Sequence, residues 1–200
     1  VYKRQGDKEE PKPDEDENVT GTLAFEDIWP SGGDYDMNDV IVEYERKVYF
    51  DKKNIVTKIV DEFTPVHDGA TYVNAFAYQI DAAQIGDKIT LPEGAILEKE
   101  TSSIIVMSNA KQNIGNKYVV TREFNGSFLK NQLLSYNPYI IVKYSQGEQN
   151  RTEVHLPKHK ATAYANQSLI GSNDDAYYID RKGAVSYTHL RAHETLRHLV

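Results

Sequence analysis

The residues best suited to chemistry lie in one short run, Gly32-Gly33-Asp34-Tyr35-Asp36-Met37-Asn38-Asp39. Oxygen-bearing side chains alternate at Asp34, Asp36 and Asn38, so a curled backbone can turn all three to one side, with Asp39 beside them. Carboxylates held this close repel one another unless a cation sits among them. Calcium takes about 6–8 oxygen ligands, mostly carboxylate and carbonyl. The pattern therefore predicts a Ca2+ site, completed from elsewhere in the chain. Glu26 and Asp27 precede the loop, and Asp174 and Asp175 lie far downstream. The competing reading is a solvated acidic turn in which Asp34 or Asn38 caps backbone amides.

An EF-hand does not fit. Asp39 stands where the mid-loop glycine belongs, and residues 40–45 alternate as a strand. At about 3.3 Å per residue, such a strand carries Glu45 roughly 20 Å from Asp39. Enzyme signatures are lacking: there is no Gly-x-Ser-x-Gly elbow, no phosphate-cradling glycine loop and no His set for catalytic zinc. The chain is accordingly read as a non-enzyme. A metal-dependent hydrolase would keep one coordination position open for water. The alternative function is a carbohydrate-binding module, with Trp29, Tyr35 and Tyr139 as exposed aromatic platforms. Against it, a Trp beside Pro30 more often clamps its own loop to the core. His155 is expected at a hydrogen-bonded rim, and Asn74 as a buried amide bonded to a neighbouring loop.

The elements that must position these groups are strands. Asp39–Phe50 alternates, with Val40, Val42, Tyr44, Val48 and Phe50 on one face and Glu43, Glu45 and Lys47 on the other. Asp51-Lys52-Lys53-Asn54 is a turn, and Ile55–Phe63 returns as the hairpin partner. Thr20–Phe25, Tyr72–Ile80, Ser103–Met107, Tyr118–Phe124, Tyr139–Tyr144 and Glu153–Leu156 complete the set, with one helical turn near Gln84. Many short strands between turn signals predict an all-β sandwich, mostly antiparallel.

The chain ends read differently. Val1-Tyr2-Lys3-Arg4-Gln5 and the run from Ala184 to Val200 look like translated sequencing adapters, and such scars stand outside fold reasoning. His189, His193, Glu194 and His198 therefore carry no functional weight. The expected organisation is adapter (1–5), acidic linker (6–18), one β domain truncated at its C-terminal end (19–183), and adapter (184–200). The sequence carries a net charge of −7, which becomes −10 when the four cations and one anion of the adapter-like ends are set aside. Such a chain is a poor nucleic-acid ligand, because phosphate contacts need clustered Lys and Arg. Cysteine is absent, which excludes disulfides and thiolate zinc sites. No apolar run approaches the roughly 18 residues of a membrane span.

Phe25-Glu26-Asp27-Ile28-Trp29-Pro30-Ser31-Gly32-Gly33-Asp34-Tyr35-Asp36-Met37-Asn38-Asp39-Val40 resembles the opening motif of LruC domains, with Met37 where the family usually has Phe. Tyr72-Val73-Asn74-Ala75-Phe76, Tyr136-Asn137-Pro138-Tyr139-Ile140-Ile141-Val142, Glu153-Val154-His155-Leu156-Pro157 and Leu169-Ile170-Gly171-Ser172-Asn173-Asp174-Asp175 resemble later family motifs in the same order. The resemblance runs from about Leu23 to Arg181. It implies a β-rich module of exported bacterial surface proteins, often outer-membrane lipoproteins, whose partner is an unidentified surface protein or glycan. The adapter-like start marks a fragment, in which no signal peptide is expected.

Overall fold

The computed structural model describes residues 15–27, 37–126, 128–156, 159–169 and 192–197. Two antiparallel sheets face each other, as the alternation predicts. The first is six-stranded, in the order β11-β1-β2-β3-β8-β5. Its members are β1 (Glu15–Phe25), β2 (Val40–Phe50), β3 (Val56–His67), β5 (Lys88–Thr90), β8 (Tyr118–Glu123) and β11 (Ala192–Arg197). The second is five-stranded, in the order β10-β9-β4-β7-β6. It holds β4 (Ala75–Gln79), β6 (Ile96–Glu98), β7 (Ser103–Met107), β9 (Asn137–Val142) and β10 (Thr152–His155). A short 3-10 turn, Ala82–Gln84, stands where the helical turn was expected.

The core fills the space between the sheets. Leu23, Phe25, Val40, Val42 and Phe63 from the first sheet meet Phe76, Tyr78, Ile104, Val106, Ile140 and Val154 from the second. Phe63 lies 5.1 Å from the Phe76 ring and 5.0 Å from the Tyr78 ring, both tilted, as aromatic quadrupoles prefer. The β2–β3 hairpin turns where predicted. Asp51 Oδ1 accepts from the amides of Lys53 and Ile55, and Asn54 takes the left-handed φ of 60° that the turn requires.

Two boundaries differ from expectation. β1 begins at Glu15, inside the segment expected to be linker. Backbone pairing continues through residues 15–18, with Glu15 opposite Phe50 and Asn18 opposite Lys47. Strand pairing needs only a partner edge, not an apolar side chain. The second difference is at the other end, where Ala192–Arg197, inside the adapter-like run, pairs with β1 from Thr20 to Phe25. The free edge of β1 offers a row of backbone groups to any extended segment.

Candidate functional site

Four strand ends meet at one corner of the sandwich. β1 delivers Glu26 and Asp27, the approach to β2 delivers Asn38 and Asp39, the exit of β3 delivers Asp68, and the approach to β4 delivers Asn74. The Asp27 amide donates to Asp39 Oδ2 at 2.8 Å, and Asn74 Nδ2 donates to Asp27 Oδ2 at 2.7 Å. The Gly69 amide donates to the Asn38 carbonyl at 3.1 Å, which lays the Asp68 loop along the acidic loop. The approach at Gly69 is close: a Cβ there would stand 2.5 Å from Asn38 Oδ1 and 3.2 Å from the Asn38 carbonyl.

These carboxylates are buried: Glu26 is 1% exposed, Asp27 3% and Asp68 6%. Burial pushes the Asp27 carboxyl above its usual range, and the nearby Asp39 adds to the push against the Asn74 hydrogen bond. Burial does the same to Asp68, partly offset by Lys111 and the Ala70 amide and reinforced by Asp27 and Asp39. The field at the corner is therefore negative, and it disfavours ionisation in the absence of a cation. Asp68 Oδ1 accepts from the Ala70 amide at 3.2 Å, while Asp68 Oδ2 and Asn74 Oδ1 are buried with no hydrogen-bond donor among the described residues. Such oxygens are costly unless something else meets them.

Of the residues expected to bind metal, Asp27, Asn38 and Asp39 come together at this corner, and Glu26 is buried next to Asp27 in the chain. Asp34, Asp36, Asp174 and Asp175 lie outside the described residues. Among the described residues, no group of three or more His, Cys, Asp or Glu side chains could hold a metal ion by itself. Asp68 was missed by the sequence reading. Its place in a His-Asp-Gly-Ala turn looked like ordinary loop chemistry, and only the pairing of β2 with β3 brings it beside Asp39.

Two expectations about aromatic and polar residues are corrected. Tyr139 is fully buried and stacks on His155 at 4.4 Å, so it offers no exposed platform for a sugar. It sits on β9, paired on both sides by β4 and β10, where the outward face is covered too. Trp29 and Tyr35 lie outside the described residues. His155 is 4% exposed and sits inside a charged network rather than at a rim. Its Nδ1 lies 2.7 Å from Asn137 Oδ1 and its Nε2 lies 2.9 Å from Glu153 Oε2. Asn137 Nδ2 donates to Gln79 and to the Lys160 carbonyl, which fixes its oxygen toward the imidazole. Both ring nitrogens therefore face acceptors, which suits the imidazolium. Arg151 grips Glu98 with two hydrogen bonds of 2.7 and 2.8 Å and reaches Glu153 through Nε at 2.8 Å. The Arg151 guanidinium thus meets two carboxylates, Glu98 and Glu153, and His155 lies against the second. Asn74 is buried and bonded across to the β1 end, as expected.

Residues 54–188 match the domain of unknown function DUF4842, which covers most of the chain. The chain belongs to that family. The final matched residues, 184–188, fall in the run that reads as adapter. No curated protein and no solved structure matches the chain. Among the described residues, no helix is long and apolar enough to cross a membrane.

Proposed function

We propose that this chain is a calcium-stabilised structural or interaction module of an exported bacterial surface protein, of the LruC kind. One observation carries the reading. Two buried oxygens without a described donor, Asp68 Oδ2 and Asn74 Oδ1, lie at a corner where Asp27 and Asp39 also gather. The donor set is all oxygen, carboxylate and amide, which matches a hard cation and not zinc. Asp34, Asp36 and Asn38, on the loop joining β1 to β2, would complete the ligand set. The LruC assignment rests on the ordered motifs around that loop and along β4, β9 and β10.

In this role the cation ties three loops together, and its binding energy becomes folding energy for the corner. The test is thermal unfolding of the full chain in calcium and in chelator. Calcium at about a hundredfold over its Kd adds about 2.7 kcal/mol, a clear rise in midpoint. A cooperative transition that does not move with calcium would remove the proposal and leave the corner as a buried acidic turn.

A further inference from the structure

The chain holds one Asn-Gly pair, Asn125-Gly126, and one Asp-Gly pair, Asp68-Gly69. Either pair can cyclise, because the glycine nitrogen can attack the preceding side chain's carbonyl carbon, and glycine puts no side chain of its own in the way. The fold treats the two pairs oppositely. Asp68 is 6% exposed, its Oδ1 accepts from the Ala70 amide at 3.2 Å, and the Gly69 N–H donates to the Asn38 carbonyl at 3.1 Å. There the nucleophile is tied down and the side chain is buried.

Asn125 and Gly126 are both exposed, at the bend where β8 gives way to the segment that meets the start of β3. Asp87 Oδ2 accepts from the Asn125 N–H at 2.7 Å and anchors the backbone on the near side of the bend. Beyond that bond, neither the Asn125 side chain nor the Gly126 amide makes a hydrogen bond among the described residues. Gly126 has a φ of 85°, the left-handed conformation that favours glycine. Its surroundings are open: a Cβ there would meet Ile55 Cγ2 at 3.9 Å. The bend selects glycine, and the glycine leaves its nitrogen accessible.

We propose that Asn125-Gly126 is a site of spontaneous deamidation in the folded chain. The Gly126 nitrogen bonds to Asn125 Cγ and gives up its proton to the departing amide, so the Cγ–Nδ2 bond breaks and ammonia leaves. One water then opens the succinimide. Hydrolysis at Cγ gives aspartate. Hydrolysis at the backbone carbonyl gives isoaspartate, in which the main chain runs through Cβ and Cγ. Isoaspartate lengthens the main chain by one atom shortly before Phe128. The Phe128 carbonyl accepts from the Val56 amide at 3.1 Å, and its ring meets Phe124 edge-on at 5.0 Å. That branch should loosen Phe128 from the small cluster of Val48, Phe50, Val56, Ile59 and Phe124 against which it packs.

The experiment incubates the full chain in mildly alkaline buffer, native and in urea, and follows its peptides by mass spectrometry with chromatographic separation of the two isomers. The native chain should gain the deamidation mass shift at Asn125 ahead of every other asparagine, with isoaspartate among the products. Asp68 should isomerise in urea and not in the native chain. Asn125→Gln, which would have to close a larger ring, should lose the shift. Protection of Asn125 in the native chain, with its shift confined to urea, would overturn the proposal. So would an equal shift at all asparagines of the native chain. Thermal unfolding supplies a second readout. The isoaspartate form should melt below Asn125→Asp, which carries the same charge on an unaltered main chain, and equal midpoints would overturn the coupling to Phe128.

Discussion

Asp68 is the residue on which the corner turns, because its Oδ2 is the buried oxygen of a carboxylate among other carboxylates. Asp68→Asn removes a charge from a site that repels it. We expect this variant to unfold at the same or a higher temperature than the parent in chelator, and to lose most of the calcium-dependent rise. A full calcium response in Asp68→Asn, read by differential scanning calorimetry, would count against its role as a ligand. Glu153 is the opposite case. Its carboxylate is buried but meets Arg151, His155 and both donors of Thr162. Burial works against its charge, yet His155 and Thr162 hold the carboxyl below its usual range. Glu153→Gln removes the carboxylate that Arg151 and His155 both meet, and should cost about 3 kcal/mol by denaturant unfolding. At this scale the sequence was half legible. Asn74 and the Glu26-Asp27 pair could be placed from pattern. Asp68 could not be given a role, because an Asp before Gly reads as a turn.

Among the elements, the strand-end loops of β1, β2 and β3 form a unit whose stability depends on pH. Asp27 and Asp68 have folded pKa values raised above the ordinary 3.8. Protonation is therefore favoured in the folded state. The stabilisation this gives is full below about pH 3.8 and is lost as pH rises through the raised values. In metal-free buffer the slope from these two groups should favour acid, and calcium should reverse it by favouring the ionised forms. Thermal midpoints between pH 4 and 7, with and without calcium, check both signs. The β1–β2 pair makes a second test. Gly21 lies opposite Tyr44, and a Cβ there would stand 2.6 Å from the tyrosine ring. Gly21→Ala should displace that ring and cost about 1–3 kcal/mol by denaturant unfolding. Strands with strict alternation or continuous apolar runs, such as β2 and Ser103–Met107, were legible. The short β5 and β6 were not, since three residues carry too little periodicity to separate strand from loop.

For the molecule as a whole, the sandwich was predictable because many short strands leave few other ways to bury their apolar faces. The pairing order was not, because register depends on partners distant in sequence. Ala75 pairs with Ile141 and Lys58 with Glu123, while the strands between them are laid into one sheet or the other. The central strand of the five-stranded sheet, β4, has neither of its neighbours, β7 and β9, next to it in the chain. During synthesis β4 must wait for β9 to leave the ribosome before its second edge is covered. Chains governed by such distant closures fold on the order of milliseconds to seconds rather than microseconds. The nascent half-sheet, with Ala75 to Gln79 open to solvent on one edge, is the species a holding chaperone would meet.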